Sequence, residues 1–530
     1  MLLTSLTEKA KAGEPLWLAD LRAAFAAAPG AAPLTMRLTC PDGSERDFSL
    51  ALPRWETGEE KDFLRRFLCA HAYNLLSAHS GRELRFFCDG PLAALAEELP
   101  ACFDRPDGLG KVVNVARRVC GGFRFAFSPL SDCAPLPEAP AAGNAALGEA
   151  LRALARSASS GGIVGLDVGG SDIKLAAALD GRLLFTDEFD WNPAASPTAE
   201  GIIEPILSLL RGARAKLEAA GGTLDAVGLS FPDVVIGDRI VGGETPKTRG
   251  MRKNPALDYE TAFARLRELK RDILALCAPG GRCRICNDGS MAAFTAAMEL
   301  AAIGEDEAIR GGVIAHSLGT DLGTGWLLAD GSIPPIPLEM YDLLLDLGSG
   351  PAAALPPEDL RSIRNENSGM PGVRRYLGQA AAYRLAYERD PALLEGFLER
   401  RDGVLRIPTE PEDLRKPALQ HLMTLASEGR PEAEEIFRRI GRNLAVVARE
   451  MRFLFGETPP VRFLFGRFVK PRRCFRLLCE GFDEAGTGIR LESADEEMAN
   501  TPLMRQLAAR EGVTVAQFGQ AVGALYFALA

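Results

Sequence analysis

The segment Val164–Lys174 constrains the fold of this chain more than any other stretch. It reads V-G-L-D-V-G-G-S-D-I-K: an apolar run carrying one carboxylate, Asp167, then a Gly-Gly-Ser turn, then a second apolar run. In a dinucleotide fingerprint or a P-loop the glycines open a helix, whereas here they join two strands. Such a turn lets backbone N–H groups approach an anion, and the carboxylate suits a phosphate-bound Mg²⁺. An ordinary hairpin fits the segment equally well, so the choice between a phosphate-binding turn and a plain hairpin depends on other parts of the chain.

A second strand–glycine turn–strand unit occurs about 150 residues later, at Ser317–Gly325, reading S-L-G-T-D-L-G-T-G. Between the two units, Asn287 and Asp288 follow a short apolar strand and precede a helix predicted over 290–302. Asp288 can cap that helix or face a cleft, and the two roles are compatible. Two glycine turns flanking a carboxylate predict a phosphate-binding cleft with one turn in each of two lobes.

Length and charge bound the remaining possibilities. A chain of 530 residues is too long for one core and predicts two to four domains. The formal net charge of −10 disfavours a nucleic acid or an anionic membrane as partner. No apolar stretch reaches the roughly 18 residues of a membrane span, and the first residues lack a secretory pattern. We therefore expect a cytoplasmic protein.

The cysteines do not predict a metal site. There are eleven, scattered along the chain, and the one close pair is Cys283 and Cys286, in a short apolar run. Zinc would need a second pair, or histidines at ligand spacing, and neither follows. We expect reduced thiols and no structural zinc.

The chain divides into four parts by pattern. Residues 1–130 combine a hairpin, a helix at 60–80 and a further strand, which predicts a small α+β domain of unreadable role. A linker rich in Pro, Ala and Gly follows, which we place at 131–155. Lobe 1 is then expected over 156–285 and lobe 2 over 286–530, ending in a closing helix. The strand–hairpin–helix plan occurs twice, which indicates two related lobes.

Seven stretches, in the expected order, resemble motifs of the ROK (repressor, open reading frame, kinase) group within the actin-like ATPase and sugar kinase superfamily. The resemblance covers about residues 160–530. The stretches are G-L-D-V-G-G-S-D-I-K (165–174), V-G-L-S-F-P-D-V-V (227–235), I-C-N-D-G-S-M-A-A-F (285–294), S-L-G-T-D-L-G-T-G (317–325), L-E-M-Y-D (338–342), F-L-F-G (463–466) and Q-F-G-Q-A-V-G-A-L (517–525).

The resemblance implies an α/β fold of two RNase H-like lobes, with ATP and a sugar in the cleft between them. It implies that Asp288 is the catalytic base and that Asp167 holds Mg²⁺ through water. It places the sugar against three residues: Asn287, Glu339 and Asp342. It assigns the nucleotide to six more: Gly169, Gly170, Ser171, Gly319 and Thr320 in the phosphate turns, and Gly466 near the adenosine.

Several positions depart from the family pattern. Asp342 stands where zinc-binding members have a histidine, and no cysteine lies between 286 and 474, so a zinc-organised wall is missing or replaced. Asp321 replaces a glycine and puts negative charge near the ATP phosphates unless it turns outward or binds the metal. The remaining departures are Lys247 for a frequent asparagine, Asp233 for the glycine of a Pro-Gly pair, and Arg467 for the second glycine of a Gly-Gly pair.

The first hypothesis is therefore an ATP- and Mg²⁺-dependent kinase that phosphorylates a hydroxyl of a sugar or sugar derivative, as a hexokinase or glucokinase does. The second is a non-catalytic sugar or nucleotide sensor of the same fold, as in the regulator branch of the family. A regulator of the usual type begins with a basic helix-turn-helix segment, whereas residues 1–150 are net acidic with an α+β pattern. The resemblance also makes a homodimer an expected arrangement, and the sequence leaves the sugar's identity open.

Overall fold

The computed structural model describes residues 2–105, 108–137, 147–243, 245–493 and 498–530. The linker predicted over 131–155 falls partly outside these ranges, at 138–146. Across the described ranges, no helix is both long enough and apolar enough to cross a membrane.

The N-terminal part is a four-stranded sheet covered by helices. The predicted hairpin is present, with β1 and β2 antiparallel, and the sheet order is β2-β1-β3-β4. Its long helix α3 begins at a capping box, in which Thr57 and Glu60 satisfy each other's backbone N–H groups. The strands are β1 (Ala32–Thr39), β2 (Glu45–Leu52), β3 (Glu83–Phe87) and β4 (Arg124–Ser128), and the helices are α1 (Leu2–Ala12), α2 (Leu18–Ala26), α3 (Gly58–His79), α4 (Pro91–Glu97) and α5 (Lys111–Cys120).

The next part contains a five-stranded sheet of order β11-β8-β5-β6-β7. Strands β5, β8 and β11 are parallel, whereas β6 and β7 are antiparallel additions, which is the RNase H arrangement. The strands are β5 (Gly162–Val168), β6 (Asp172–Leu179), β7 (Arg182–Asp190), β8 (Ala226–Phe231), β9 (Val235–Ile236), β10 (Arg239–Ile240) and β11 (Arg282–Asn287), and the helices are α6 (Leu147–Ser157), α7 (Glu200–Ala219), α8 (Arg249–Arg252), α9 (Tyr259–Leu266) and α10 (Leu269–Leu274).

The last part repeats this plan with a four-stranded sheet of order β13-β12-β16-β17. Strands β12 and β13 form the second glycine-turn hairpin, and β16 and β17 continue in parallel. The strands are β12 (Val313–Leu318), β13 (Leu322–Leu327), β14 (Glu399–Arg401), β15 (Val404–Arg406), β16 (Val461–Phe465) and β17 (Arg490–Ser493), and the helices are α11 (Asp288–Ala302), α12 (Asp306–Ile309), α13 (Pro351–Ala354), α14 (Val373–Tyr376), α15 (Gly378–Arg389), α16 (Arg415–Ser427), α17 (Pro431–Phe455), α18 (Arg472–Asp483), α19 (Pro502–Ala508) and α20 (Val515–Phe527). The expected fold class, two such lobes plus an N-terminal α+β part, is confirmed.

The closing helix α20 returns to the first lobe and packs directly on its sheet. Two strand glycines permit the close approach, because a Cβ at Gly165 would lie 2.1 Å from the carbonyl oxygen of Ala521, and one at Gly228 would lie 1.9 Å from that of Ala524. The C-terminal helix therefore fixes β5, and with it the turn that follows β5.

Replacing Gly228 by Ala is expected to lower the free energy of unfolding by about 3 kcal/mol, the upper end of the cost of overpacking. The added methyl group overlaps the backbone of α20, which cannot move aside as a flexible side chain could. Urea unfolding measures the change. The control is Gly212→Ala, because a Cβ at that helical position meets nothing and should stabilise slightly; equal effects of the two substitutions would contradict the packing described.

The N-terminal part shares a hydrophobic core with the second lobe. One cluster of buried side chains includes Phe25 and Phe67 together with Phe437 of α17. At its edge, Arg22 donates two hydrogen bonds to the buried carboxylate of Glu450, at 2.8 and 2.9 Å. The N-terminal part is thereby packed tightly against the lobe that carries the second glycine turn.

Candidate active site

A cavity of about 310 Å³ lies where the carboxyl ends of β8 and β11 meet the β12–β13 turn. Five of the predicted site residues line it together: Asn287, Asp288, Gly319, Thr320 and Glu339. A larger cavity, of about 480 Å³, lies between α15, α17 and the N-terminal segment and contains none of the predicted site residues. The smaller cavity is therefore the candidate active site.

Asp288 is the first residue of α11, and the helix is capped by its neighbour. The side-chain oxygen of Asn287 accepts a hydrogen bond from Gly289 N at 2.9 Å, and Asp288 Oδ1 accepts from the same N–H at 2.9 Å. Asn287 Nδ2 also donates to the carbonyl oxygen of Asp233 at 3.0 Å. Asp288 therefore both contributes to the cap and faces the cavity, where the helix N-terminus favours its negative charge.

The first glycine turn reaches the cavity through a lysine. Gly169 N donates to the carbonyl oxygen of Asp172 at 2.8 Å, which closes the turn, and Trp191 Nε1 donates to the carbonyl oxygen of Gly169 at 3.1 Å. A Cβ at Gly170 would lie 3.7 Å from Lys247 Cε. Because Lys247 also lines the cavity, its ammonium-bearing side chain connects the first turn, which includes Ser171, with the space in front of Asp288.

Asp167 precedes this turn and has an environment that suits a cation. Burial raises the pKa of Asp167 to about 6, and the negative charge of Asp288 adds to the rise, whereas the Ser230 hydroxyl and the Lys174 ammonium oppose it. Ser230 Oγ donates to Asp167 Oδ1 at 3.0 Å. A carboxylate that is costly to ionise beside a second carboxylate fits Mg²⁺ held through water. No three metal-ligating side chains converge anywhere in the described ranges, so phosphate oxygens and water would have to complete such a site.

The second glycine turn has its own countercharge. Asp321 Oδ1 lies 3.5 Å from Arg374 Nε, and burial raises the pKa of Asp321 while the Arg374 guanidinium opposes the rise. Gly319 N donates to the carbonyl oxygen of Asp321 at 3.1 Å, and the Gly319 carbonyl accepts from Gln379 N at 3.0 Å. Asp321, which the sequence analysis identified in the second glycine turn, therefore faces an arginine.

Gly466 lies directly behind the second turn. Its φ is +94°, and a Cβ there would lie 2.4 Å from the carbonyl oxygen of Leu318, so only glycine fits. The following residue, Arg467, lines a separate cavity of about 470 Å³ with Gln420 and Met423. Gly466 thus lies between the second glycine turn and a second cavity, and its contact with adenosine stays a prediction.

Glu339 titrates differently from an ordinary glutamate. Burial raises the pKa of Glu339 to about 8; the neighbouring Asp342 charge adds to the rise, whereas Tyr341 and Lys111 oppose it. At neutral pH the carboxyl group is therefore mostly protonated and can donate a hydrogen bond.

The raised pKa of Glu339 has a consequence for stability. Because the folded protein holds this proton up to about pH 8 while an unfolded glutamate loses it near pH 4.3, the free energy of unfolding should fall as pH rises between those values. Glu339→Gln should remove the part of this decrease in the free energy of unfolding that comes from Glu339. Urea unfolding from pH 5 to 8.5 measures it, with exposed Glu59→Gln as control; parallel pH slopes for wild type and Glu339→Gln would contradict the assignment.

Asp342 interacts with four side chains and does not line the cavity that contains Asp288. Lys111 Nζ donates to Oδ2 at 3.3 Å, Asn367 Nδ2 to Oδ1 at 2.5 Å and Asn365 Nδ2 to Oδ1 at 3.4 Å, and Arg374 Nε lies 3.8 Å away. Burial opposes ionisation, yet the Lys111 and Arg374 charges lower the pKa of Asp342 overall. A charged network thus occupies the wall that the sequence comparison expected to be missing or replaced, and a sugar contact by Asp342 stays a prediction.

Helix α5 of the N-terminal part touches both lobes beside the cavity. Its first residue, Lys111, binds Asp342 of the second lobe. Near its other end, Arg118 donates to Glu260 of α9 at 2.8 Å and to the carbonyl oxygen of Gly242 at 3.4 Å, both in the first lobe. The N-terminal part therefore forms a third side of the site, which the sequence did not predict.

Comparison with known proteins gives likenesses of fold. No protein-family model matches the chain, and no curated protein sequence matches it. Similar solved structures include a ROK family glucokinase from Streptomyces griseus in complex with glucose and AMPPNP (19% identity, 69% of this chain and 99% of that one, TM-score 0.39) and a ROK hexokinase from Thermus thermophilus (18%, 68% and 97%, 0.39). Another is a ROK family transcriptional regulator described as a homolog of the E. coli MLC protein (12%, 69% and 80%, 0.43). All three are ROK proteins, the group that the motifs resemble. Two of them are described as kinases and one as a regulator.

Proposed function

We propose that the chain is a ROK-type kinase that transfers the γ-phosphoryl group of ATP, with Mg²⁺, to a hydroxyl of a sugar or sugar derivative. One observation carries the proposal: Asp288 shares a single cavity with the second phosphate turn, Gly319 and Thr320, while Lys247 joins that cavity to the first turn. Base and phosphate donors thus meet across one space of a size suited to a small polar substrate. Because ATP is its proposed co-substrate, we place the protein in the cytoplasm. The resemblance to the ROK group further suggests that it forms a homodimer.

In the proposed reaction a sugar hydroxyl attacks the γ-phosphorus. The new O–P bond forms as the bond from the γ-phosphorus to the β,γ-bridging oxygen breaks, the hydroxyl proton passes to Asp288, and ADP leaves. Asn287 and the neutral Glu339 hold the sugar, and Lys247 offsets negative charge on the transferring group. Mg²⁺ near Asp167 would supply further charge compensation to the phosphates.

Sugar-dependent ADP release tests the proposal. Wild-type protein is assayed with Mg-ATP against a panel of hexoses, hexosamines and N-acetylhexosamines, with EDTA as a control. We expect release that requires one class of sugar and stops on chelation. Absence of sugar-dependent release throughout the panel, from protein that binds Mg-ATP in calorimetry, would contradict the kinase.

A sensor of the same fold is the second candidate, and the second phosphate turn favours it. Gly319 N is already bonded to the carbonyl oxygen of Asp321, and the Asp321 side chain brings a carboxylate to the turn, so fewer donors face a phosphate than in a turn of glycines. Calorimetry separates the candidates: a sensor binds a sugar or Mg-ATP without turnover, whereas a kinase binds both and turns over.

A further inference from the structure

One buried carboxylate at the site has an oxygen without a partner. Asp233 follows β8 and is 2% exposed. Its Oδ1 accepts hydrogen bonds from Val234 N at 2.7 Å and Gly243 N at 2.5 Å. Its Oδ2 is also buried, and none of the described residues donates a hydrogen bond to it. A buried polar atom left without a partner is costly, so a structural role in the loop accounts for one oxygen of Asp233 and leaves the other unexplained.

Asp233 lines the same cavity as Asp288. The two are held close together, because Asn287, which caps the helix of Asp288, donates its side-chain amide to the Asp233 carbonyl at 3.0 Å. Asp233 is therefore a residue of the cavity wall, beside the predicted base, and its unpartnered oxygen is a buried atom of that wall residue.

The charges around this space leave Asp233 without a dedicated counterion. Asp321 has Arg374 at 3.5 Å. Glu339 holds its proton at neutral pH, because burial raises its pKa to about 8. Burial raises the pKa of Asp233, and the positive charges of Lys247 and Arg118 oppose the rise. Arg118 is paired with Glu260, and the side chain of Lys247 lies beside the first glycine turn, where bound phosphates would compete for it. Once the phosphates are bound, the cavity presents two carboxylates. Asp288 would receive the proton of a hydroxyl, and Asp233 is left without an assigned partner.

We propose that Asp233 binds the ammonium group of the substrate, so that the sugar phosphorylated here is an amino sugar with a free amine. The inference rests on the proposed function for its sugar, and it adds the substrate class. A buried carboxylate is served best by a charged donor, since a charge-assisted hydrogen bond is about twice as strong as a neutral one. A neutral hydroxyl satisfies the hydrogen bond and leaves the charge uncompensated.

Sugar binding in the presence of Mg²⁺ and a non-hydrolysable ATP analogue tests the inference, because the phosphates then occupy Lys247. Calorimetry compares glucosamine, mannosamine and galactosamine with glucose, mannose and galactose at pH 7. We expect at least one amine to bind about tenfold or more tightly than its hydroxyl counterpart, the usual range for hydrogen bonds to charged groups. In Asp233→Asn that preference should fall to within about twofold. Asn keeps an oxygen for Val234 N and Gly243 N, so the loop retains its hydrogen bonds.

Two further variants secure the result. Asp233→Gly restores the residue usual in the resembled family and should also abolish the amine preference, whereas Asp330→Asn, in an exposed turn, should leave it intact. The inference is overturned if no amine is preferred by wild type, or if Asp233→Asn keeps the preference. If amine binding depends on Asp233 but no ADP is released, the inference is supported and the kinase function is contradicted. If neutral hexoses are phosphorylated and Asp233→Asn has no effect, the kinase function is supported and the inference is overturned.

Discussion

Replacing Asp288 by Asn is expected to lower kcat for sugar phosphorylation by about 10²- to 10⁴-fold, the usual contribution of a general base. The amide cannot accept the hydroxyl proton, yet its oxygen can still accept the hydrogen bond from Gly289 N that Asp288 accepts at 2.9 Å. The protein should therefore keep its melting temperature and bind Mg-ATP as wild type does. Steady-state kinetics with the preferred sugar measures the effect.

The control for Asp288→Asn is the same chemical change at an exposed turn, Asp330→Asn. Asp330 Oδ1 accepts from Ser332 N at 2.9 Å, a bond that Asn can also make. We expect the control to retain full activity. A kcat of Asp288→Asn within twofold of wild type would show that Asp288 is not the base. Substrate binding would then test separately whether the cavity is the active site.

Replacing Lys111 by Met is expected to lower the free energy of unfolding by about 3 kcal/mol, near the lower limit for breaking a buried ion pair from one side. Asp342 is 3% exposed, and Lys111 Nζ is its nearest cationic group at 3.3 Å. Arg374, 3.8 Å from Asp342, still compensates part of its charge in the variant, so the decrease in the free energy of unfolding should stay near that lower limit. Urea unfolding measures the difference.

Two variants show whether the loss comes from the unpaired carboxylate. Lys111→Met combined with Asp342→Asn should recover much of the lost stability, because no uncompensated charge stays buried. Lys61→Met removes a partly exposed lysine paired with Glu98 at 2.5 Å and should cost less than about 1 kcal/mol. A double variant as unstable as Lys111→Met alone would contradict the pairing.

The parts of the site that the sequence predicted are those encoded over short distances. The β5–β6 turn follows from two apolar runs separated by two glycines and a serine, and it is present as described. Asn287 and Asp288 were expected between a strand and a helix, and they lie there, because a strand end and a helix cap are local patterns.

The parts that the sequence did not predict depend on distant pairs. Lys111 meets Asp342 across 231 residues, and Arg374 meets Asp321 across the β13–α14 connection, with no periodicity or spacing that could place either pair. Asp233 was visible as a departure from a Pro-Gly pair, but its unpartnered oxygen emerges only from the packing around it. The aspartates themselves were visible as departures from local motifs, but the distant residues that pair with them leave no local pattern to detect.

The two ends of helix α5 differ in a way that governs how the molecule can open. Lys111 is buried with Asp342, and the N-terminal part shares its core with the second lobe, whereas Glu260, the partner of Arg118, has a side chain 54% exposed. A hinge motion separating the lobes must break one set of contacts, and the partly exposed pair of Arg118 and Glu260 costs less to break than the buried pair of Lys111 and Asp342. For such a motion, we expect the N-terminal part to travel with the second lobe and the contacts of Arg118 with the first lobe to be the ones that break.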